Sequence, residues 1–502
     1  MTVEDVRTSP VVDPGVDHGD VIGDFTTAAT AFADRTAVEC DGSAISYRDL
    51  ENAVRGLAES HRPRGDGSPT LIGGLVGHSP GAVRFLLGVL AAGAVYCPVD
   101  AALPVARRQA VADVLGVDRV HPTEPAPVPL PTGPRRDPSS RPTDPAYVLC
   151  TSGSTGAPKP VVVSRRALTV TVRALRRLFE LVPEDRVLQF AALAWDTSLE
   201  EMLPALTCGA AVVFDDRAQA GALPNFVRML ADRRVTVVDL PTAFWHELVL
   251  FLHEERMGLP DCLRLVVIGG ERIDPTRLRQ WRELDVAGVQ LLNTYGCTET
   301  TMVTHSVLLS GPGADAALDG APLGRPLPHV RDHVTADGEL LVSGPALASG
   351  YLGSPELTAD RFPVADHGHG TTRWFRTGDL VGRADDGLLY GRGRADDEVK
   401  VLGVRIHPAE VETQLLSHPA VAGAVVVGER RLGRTTLAAF VVLGGSATAA
   451  ELKRHLRERL PSQVVPTRFE FIARLVLTAS GKVDRTATVN AAADHNNEGA
   501  NT

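Results

Sequence analysis

A series of short, β-branched apolar runs separated by helical patterns constrains the fold of this chain more than any other feature. Three of these runs cover residues 210–214, 235–240 and 263–270. Runs that are apolar throughout are typical of parallel strands buried on both faces, and the helical patterns between them supply the crossover connections. The sequence therefore predicts an α/β fold with buried sheets, and a helix from about Arg165 to Leu181.

The chain is too long for one ordinary core, because it has 502 residues, so two or more domains are expected. A boundary is predicted near 391–400, where glycines and charges replace the apolar pattern. Beyond it, helix and strand patterns alternate, which indicates a small α+β domain. The proline-rich stretch 121–145 suits neither a helix nor a central strand and is interpreted as a surface connection inside the first domain.

Charge and composition exclude several classes of protein. The net charge of −10 argues against electrostatic nucleic-acid binding. Six widely spaced cysteines without a C-x-x-C motif favour reduced thiols over a disulfide framework or a metal site. No uncharged apolar run reaches the roughly 20 residues of a membrane span, and the acidic N-terminus lacks the apolar region of a signal peptide. We expect a cytoplasmic enzyme or binding protein.

The loop 151–160, TSGSTGAPKP, carries groups that suit a polyphosphate. It offers backbone N–H groups, the hydroxyls of Thr151, Ser152, Ser154 and Thr155, and the ammonium of Lys159. It is not a Walker A loop, because that motif places a serine or threonine directly after the lysine, and here a proline follows. Taken alone, the segment is equally consistent with a plain Ser/Gly surface loop.

Further motifs follow this loop in a fixed order. They are NTYGCTE (293–299), WFRTGDL (374–380), GRADDEVKVLGVRI (393–406) and SGKVDR (480–485), preceded by ISYRDLENAVRGLAE (45–59) and LAAGAVYCPVD (90–100). As a set they resemble the core motifs of the adenylate-forming superfamily, specifically the amino-acid adenylation domains of nonribosomal peptide synthesis. The resemblance covers roughly residues 20 to 487.

The resemblance implies a large N-terminal domain of packed α/β subdomains and a small mobile α+β C-terminal domain. The expected division is a disordered N-terminal segment, the core, the lid domain and a disordered tail, at 1–20, 21–395, 396–487 and 488–502. The lid would rotate about Asp396. In one pose such enzymes make an aminoacyl-adenylate from ATP and release pyrophosphate; in the other they transfer the acyl group to a phosphopantetheine thiol.

By the same resemblance, the phosphate loop holds the β- and γ-phosphates with Thr151, Ser152, Gly153, Ser154, Thr155, Gly156 and Lys159. Tyr295 offers a flat face to adenine, Asp379 accepts hydrogen bonds from the ribose, and Arg394 lies near ribose and phosphate. The remaining nucleotide-binding positions are Gly270, Glu271, Asn293 and Gly296. Glu299 is expected to hold Mg²⁺, a hard cation that prefers carboxylate and phosphate oxygens.

Three residues are expected to act in the chemical steps. Lys482 would reach in from the small domain and stabilise charge on the α-phosphate, which is electrostatic catalysis by a placed cation. Thr298 would bond the α-phosphate, and Lys400 would face the thiol tunnel after rotation.

The family's substrate pocket maps to Asp196, Thr197, Glu200, Asp239, Val267, Gly269, Thr294, Met302, Val303 and Lys482. Asp196 matches the aspartate that pairs with the substrate amine. Glu200 and Asp239 would be costly to bury unpaired, so a cationic side chain is their natural partner. An ion pair at about 4 Å is worth about 4 kcal/mol at an effective dielectric constant of about 20, before desolvation. The alternative is that one of them faces outward or pairs with protein.

The pocket string D-T-E-D-V-G-T-M-V-K is similar to that of stand-alone adenylation proteins that activate β-lysine for capreomycin, viomycin or streptothricin-like antibiotics. Electrostatics alone does not separate β-lysine from lysine or ornithine. Because no Gly-Gly-x-Ser phosphopantetheine site occurs, the expected acceptor is a separate carrier protein, with a small accessory activator as a further partner. Within the fold, an acyl-CoA synthetase-like ligase is the alternative; a non-catalytic nucleotide-binding homologue is an alternative of another class.

Overall fold

A computed structural model of the chain describes residues 19–62, 69–117, 119–123, 140–151, 158–315, 318, 320–395, 398–401, 404–431, 434–476, 485 and 487–492. They belong to two units. The first unit falls within 1–101, 112–150 and 160–395, and the second within 102–111, 151–159 and 396–502.

The named helices, in chain order, are α1 (Val21–Ala31), α2 (Tyr47–Ser60), α3 (Pro80–Ala91), α4 (Val105–Leu115), α5 (Arg165–Leu178), α6 (Thr197–Leu206), α7 (Leu223–Asp232), α8 (Thr242–Glu255), α9 (Pro275–Glu283), α10 (Pro355–Arg361), α11 (Pro408–Leu416) and α12 (Ala449–Arg457). Within the described ranges, no helix combines the length and the apolarity needed to cross a membrane.

The strands are β1 (Thr36–Cys40), β2 (Ser43–Ser46), β3 (Leu71–Val76), β4 (Val95–Asp100), β5 (Val120–Pro122), β6 (Pro145–Thr151), β7 (Lys159–Ser164), β8 (Arg186–Leu188), β9 (Ala211–Phe214), β10 (Val237–Pro241), β11 (Leu265–Gly269), β12 (Gln290–Gly296), β13 (Val303–Ser310), β14 (Arg325–Pro326), β15 (Arg331–Val334), β16 (Glu339–Ser343), β17 (Gly350–Tyr351), β18 (Val364–Asp366), β19 (Thr371–Arg383), β20 (Leu389–Arg394), β21 (Val399–Val401), β22 (Val404–Ile406), β23 (Val421–Arg431), β24 (Arg434–Leu443) and β25 (Arg468–Phe471).

Three sheets build the first unit. The largest has the order β14-β13-β12-β11-β10-β8-β9-β1-β2, the second has β17-β7-β6-β4-β3-β5, and the third has β15-β16-β19-β18 with β20 beside β19. The three apolar runs noted in the sequence form β9, β10 and β11, and β10 and β11 run parallel. The predicted α/β fold with buried sheets is confirmed.

The two faces of β10 and β11 pack into different cores. Val237 and Val267 belong to the core that helices α1, α2, α3, α5 and α6 share with the first two sheets. Val238 and Ile268 belong to the core under α7, α8 and α9. Because side chains alternate along a strand, Asp239 lies on the same face as Val237. The alternation therefore directs its carboxyl group toward the side of the sheet that carries α6.

The second unit has a three-stranded sheet, β23-β24-β25, a β21-β22 hairpin and the helices α11 and α12. Its main core includes Val411 and Leu415 of α11, Leu452 and Leu456 of α12, and Val441 of β24. This α+β composition matches the small domain expected from the sequence.

The expected disorder at both ends needs correction. Residues 487–492 are helical, and Ala492 packs against Val425 and Phe440, so the prediction of a disordered tail from 488 is wrong for its first residues. At the other end, Asp20 already has a structural role: its Oδ1 accepts a hydrogen bond from the Ile22 N–H at 2.9 Å and caps α1.

Candidate active site

Three carboxyl groups of the predicted pocket lie close together in the first unit. Asp196 immediately precedes α6, and Glu200 follows four residues later, which places both side chains on one face of the helix. Asp239 stands on β10, opposite Val267 of β11. The electrostatic influence of Asp196 and of Asp239 reaches Glu200. The structure therefore brings together the three acids that the sequence analysis assigned to the substrate.

Glu200 and Asp239 form a buried acid pair. The two residues are 7% and 6% exposed, and the charge of Asp239 acts on Glu200. Burial raises the pKa of Asp239 to about 7. Burial and the charge of Asp239 raise the pKa of Glu200 well above its ordinary value. Two buried carboxylates that repel each other cannot both ionise cheaply, so their surroundings favour a proton on the pair.

The pair has no cationic partner within the described part of the chain. No ion pair joins Glu200 or Asp239 to a lysine, arginine or histidine there, and Asp239 Oδ2 is buried without a hydrogen-bond donor. The alternative that Glu200 faces outward is wrong, because its side chain is buried. The other alternative is that Glu200 pairs with a group of the protein. Among the described residues that partner is Asp239, which is itself an acid.

The adjacent Glu201 has the opposite surroundings. Its Oε1 accepts hydrogen bonds from the N–H groups of Phe190, at 3.1 Å, and Ala191, at 2.9 Å, and its Oε2 accepts one from Gln189 Nε2 at 3.0 Å. Glu201 therefore holds the loop that follows β8, whereas Glu200 faces Asp239. Of these two adjacent glutamates, Glu201 therefore has a structural role, and Glu200 keeps an available carboxyl group.

Asp196 is partly buried, and burial raises its pKa to about 6. Thr298 lowers the pKa of this carboxyl group, whereas the charge of Glu299 raises it. The contact of Thr298 with the α-phosphate of ATP stays a prediction.

The other described residues of the predicted pocket come from β11, β12, Met302 just before β13, the first residue of β13 and the first residue of α6. Val267, Met302 and Val303 are buried, Gly269 lies opposite Thr294, and Thr197 is partly exposed. A Cβ atom on Gly269 would lie 2.7 Å from Thr294 Oγ1, so only glycine fits there. None of these side chains carries a charge.

The predicted adenine and ribose residues form one hydrogen-bonded group. The Tyr295 hydroxyl donates to Asp379 Oδ2 at 2.6 Å, and Arg394 Nη1 donates to Asp379 Oδ1 at 2.7 Å. Asp379 and Arg394 are also paired in register across β19 and β20. The carboxylate is thus held in place from both sides.

Other predicted nucleotide contacts lie at the carboxyl ends of β11 and β12 and just beyond. Asn293 donates from Nδ2 to the Pro322 carbonyl at 2.7 Å. Gly270 has a φ of +88°, a backbone conformation that favours glycine, and Glu271 follows it, partly exposed. A Cβ on Gly296 would lie 1.7 Å from the Met302 carbonyl oxygen. Gly270, Glu271 and Gly296 lie at the edge of the sheet where ligands bind in open α/β folds, and Asn293 lies three residues before Gly296 in β12.

Glu299 is 3% exposed, and its Oε1 accepts a hydrogen bond from the Tyr351 hydroxyl at 2.9 Å. Among the residues that the structure describes, no group of three or more His, Cys, Asp or Glu side chains could hold a metal ion. A single carboxylate fits Mg²⁺, which takes few protein ligands and completes its shell with phosphate oxygens and water.

The second unit contains further predicted residues. Lys159 Nζ lies 3.1 Å from His407 Nε2, and His407 pairs with Glu398. Thr151 Oγ1 donates to the Lys159 carbonyl at 3.4 Å. Lys400 stands in β21 opposite Arg405. Several predicted residues lie outside the described ranges: Ser152, Gly153, Ser154, Thr155, Gly156, Asp396 and Lys482.

Three contributors were missed by the sequence analysis. Tyr351 bonds Glu299; the ring of His305 lies 5.7 Å from that of Tyr295 at 66°; and the charges of Asp196 and Glu200 act on the buried Tyr147. Tyr147 lies four residues before the loop 151–160, and His305 lies six residues after the NTYGCTE motif. Tyr351 is 52 residues from Glu299, and only the fold brings them together.

Two family models match the chain. One, described as AMP-binding enzyme, matches residues 25–121 and 109–352, and the other, AMP-binding enzyme C-terminal domain, matches 410–482.

Similar proteins include the isonitrile lipopeptide synthase of Streptomyces coeruleorubidus, 40% identical over 511 residues that cover 97% of this chain and 34% of that protein. A dimodular nonribosomal peptide synthase of Bacillus subtilis (strain 168) is 31% identical over 497 residues, covering 92% of this chain and 20% of the relative. The chain therefore spans about a third or less of the length of these relatives.

Solved structures share the fold. NpsA-ThdA from Klebsiella oxytoca, an artificially fused adenylation–PCP di-domain, has a TM-score of 0.78 at 24% identity, covering 90% of this chain and 93% of that one. The amide bond synthetase McbA from Marinactinospora thermotolerans has a TM-score of 0.79 at 25% identity, covering 93% and 99%. Since the AMP-binding model alone matches more than half of the sequence, the chain belongs to the AMP-binding enzyme family, the adenylate-forming ligases.

Proposed function

We propose that the protein activates an amino acid with a cationic side chain, β-lysine in the first place, and loads it onto a separate carrier protein. ATP and Mg²⁺ would give the aminoacyl-adenylate and pyrophosphate, and the acyl group would pass to the phosphopantetheine thiol of the carrier. The observation that carries the proposal is the buried Glu200–Asp239 pair, which has no cation within the described residues.

Charge accounts for the choice of substrate class. The pocket combines Asp196 with the acid pair, so a diamino acid would place one ammonium at Asp196 and the other between Glu200 and Asp239. A neutral side chain would leave the buried acids without a partner. A substrate that leaves buried polar groups of the site unpaired is rejected more strongly than one that differs from the correct substrate by a single methylene.

In the proposed first step, a carboxylate oxygen of the amino acid attacks the α-phosphorus of ATP. The bond to the bridging oxygen breaks, and pyrophosphate leaves with the electron pair. Mg²⁺ at Glu299 would neutralise charge on the phosphate oxygens, while Lys482 would stabilise charge on the α-phosphate. Asp379, already fixed by Tyr295 and Arg394, would hold the ribose.

In the proposed second step, the carrier thiolate attacks the acyl carbonyl, a thioester forms and AMP leaves. The carrier is placed outside this sequence because no Gly-Gly-x-Ser motif occurs in it. The structural likeness to an adenylation–PCP di-domain fits a carrier partner of this kind. We choose β-lysine over lysine and ornithine because of the pocket string D-T-E-D-V-G-T-M-V-K alone. The proposal also includes a small accessory activator protein as a further partner.

Amino-acid-dependent ATP–pyrophosphate exchange tests the proposal with β-lysine, lysine, ornithine, norleucine and leucine. We expect exchange with the diamino acids to exceed that with norleucine by at least about tenfold, the ratio expected for about 1.4 kcal/mol. Norleucine is lysine without the side-chain amine, so this pair isolates the charge. Greater exchange with norleucine or leucine than with every diamino acid would overturn the proposal.

The two adjacent glutamates supply matched variants. Glu200→Gln should lower the lysine-to-norleucine ratio, because it removes one charge that faces the side-chain ammonium. Glu201→Gln should reduce stability, because it disturbs the loop that Glu201 holds, but should leave the ratio unchanged. An unchanged ratio in Glu200→Gln would remove Glu200 from substrate selection.

A further inference from the structure

We propose that the Glu200–Asp239 pair works by proton exchange: the empty pocket holds one proton between the two carboxyl groups, and the side-chain ammonium of the substrate displaces it. The proton leaves to solvent as the ammonium takes its place. This inference rests on the proposed function, and it adds that the protonation state of the pocket sets its selectivity.

The geometry gives the pair one site for a cation or a proton. Both residues are more than nine-tenths buried, and Asp239 Oδ2 is buried without a hydrogen-bond donor among the described residues. A proton on either carboxyl group would allow it to donate to the other. An ammonium has three donors and no acceptor, so it can take the place of that proton and also reach Asp239 Oδ2.

The neighbouring groups on every packed element favour the proton in the empty state. On α6 and just before it lie two further acids, Glu201 and Asp196, whose carboxylate forms repel a negative charge on Glu200. Burial also raises the pKa of Glu201 well above its ordinary value. From β6, Tyr147 contributes a neutral phenol, because burial and then the charges of Asp196 and Glu200 raise its pKa well above its ordinary value. None of these groups supplies a positive charge. Within the described part of the chain, only a proton or a bound cation is therefore left to offset the charge of the pair.

The exchange balances without any other reactant. One O–H bond of the pair is broken, its proton passes to water or buffer, and the ammonium of the substrate, already charged at neutral pH, takes the site. A neutral side chain of equal length leaves the proton where it is. Affinity for the cationic substrate should rise with pH, by at most about tenfold per pH unit, until the empty pair ionises, while affinity for the neutral analogue should not.

Calorimetry of two matched probes on the full chain tests the exchange. The probes are 5′-O-(lysylsulfamoyl)adenosine and its norleucyl counterpart, titrated near pH 7 in phosphate and in Tris, whose ionisation enthalpies differ. Proton changes at the α-amine and the sulfamate are common to both probes and cancel. We expect the lysyl probe to release about one proton more than the norleucyl probe, as a shared-proton pair requires.

The outcomes separate this inference from the proposed function. Tighter binding of the lysyl probe without extra proton release would overturn the exchange and leave the substrate class standing. Equal or tighter binding of the norleucyl probe would overturn the substrate class. The double variant Glu200→Gln/Asp239→Asn should lose the extra proton while still binding ATP, which reports its folding; retention of the extra proton would contradict the assignment to this pair. The two-probe comparison on the unaltered chain stands by itself if that variant does not fold.

Discussion

The carboxylates of the nucleotide region and those of the amino-acid pocket differ in which groups satisfy them. Asp379 accepts hydrogen bonds from Tyr295 and Arg394, and Glu299 accepts one from Tyr351. Glu200 and Asp239 have each other and no donor from a base within the described residues. Side chains of the protein itself satisfy the first set of carboxylates; for the second set, we propose a cationic ligand.

This difference separates the common task of the fold from the choice of substrate. Groups fixed before binding contribute to affinity because little conformational entropy is lost when the nucleotide arrives. Buried acids without a partner contribute to discrimination instead, because their desolvation is offset only by the right ligand. Changes in the nucleotide region should therefore affect all amino acids alike, and changes in the pocket should alter their ratios.

The largest effect is expected from Lys482→Ala. Removal of the cation that is proposed to stabilise the α-phosphate should lower exchange by about 10²–10³-fold, the range found for losing one placed electrostatic group. The lysine-to-norleucine ratio should stay the same, because both substrates react at the same phosphorus. Lys453→Ala, on α12, is the matched control. A loss confined to lysine would contradict the separation of the two regions.

Asp379→Asn should have the next largest effect. It takes the charge from the carboxylate that Arg394 and Tyr295 hold and weakens the proposed ribose contact. Hydrogen bonds to charged groups contribute about 1.5–3 kcal/mol, so the KM for ATP should rise roughly 10- to 100-fold. Tyr295→Phe removes only the hydroxyl and should raise the KM for ATP by a smaller factor. Steady-state kinetics at saturating amino acid measures both; a change in amino-acid preference in either variant would break the comparison.

The pH dependence of the free energy of unfolding tests the buried acid pair in the absence of any substrate. In the empty folded protein the pKa of Asp239 is raised from 3.8 to about 7, so between these values the folded state binds a proton that the unfolded state releases. The free energy of unfolding contributed by this group should therefore fall as pH rises from about 4 to about 7, by up to about 1.4 kcal/mol per pH unit.

Denaturant unfolding of the unaltered chain and of Glu200→Gln/Asp239→Asn at several pH values isolates this contribution. The variant should gain stability relative to the unaltered chain as pH rises. Parallel pH profiles would show that the pair does not carry its proton into the folded state.

The strands and the order of motifs were predictable, because buried parallel strands are apolar throughout and motif residues are contiguous in sequence. The sequence also indicated that Glu200 and Asp239 would need a cation. It did not indicate that Glu201 would be satisfied by the loop at Gln189, because two adjacent glutamates are equivalent until the helix is placed. Nor did it indicate Tyr351 beside Glu299, which depends on packing between segments distant in sequence.

The smallest effect is expected at Gly391, which lies in β20 three residues before Arg394. A Cβ atom there would have Leu323 Cδ2 at 3.8 Å as its nearest neighbour, an ordinary contact distance. Gly391→Ala should therefore change stability by no more than about 0.5 kcal/mol and leave the KM for ATP within about twofold. Gly296→Ala is the contrasting variant, because its Cβ would lie 1.7 Å from the Met302 carbonyl oxygen and the backbone would have to move. Thermal unfolding and ATP kinetics of the two variants measure the difference. If Gly391→Ala weakened ATP binding as much as Asp379→Asn, the preformed nucleotide region would extend to this glycine, and its backbone would have to be counted with Tyr295 and Arg394.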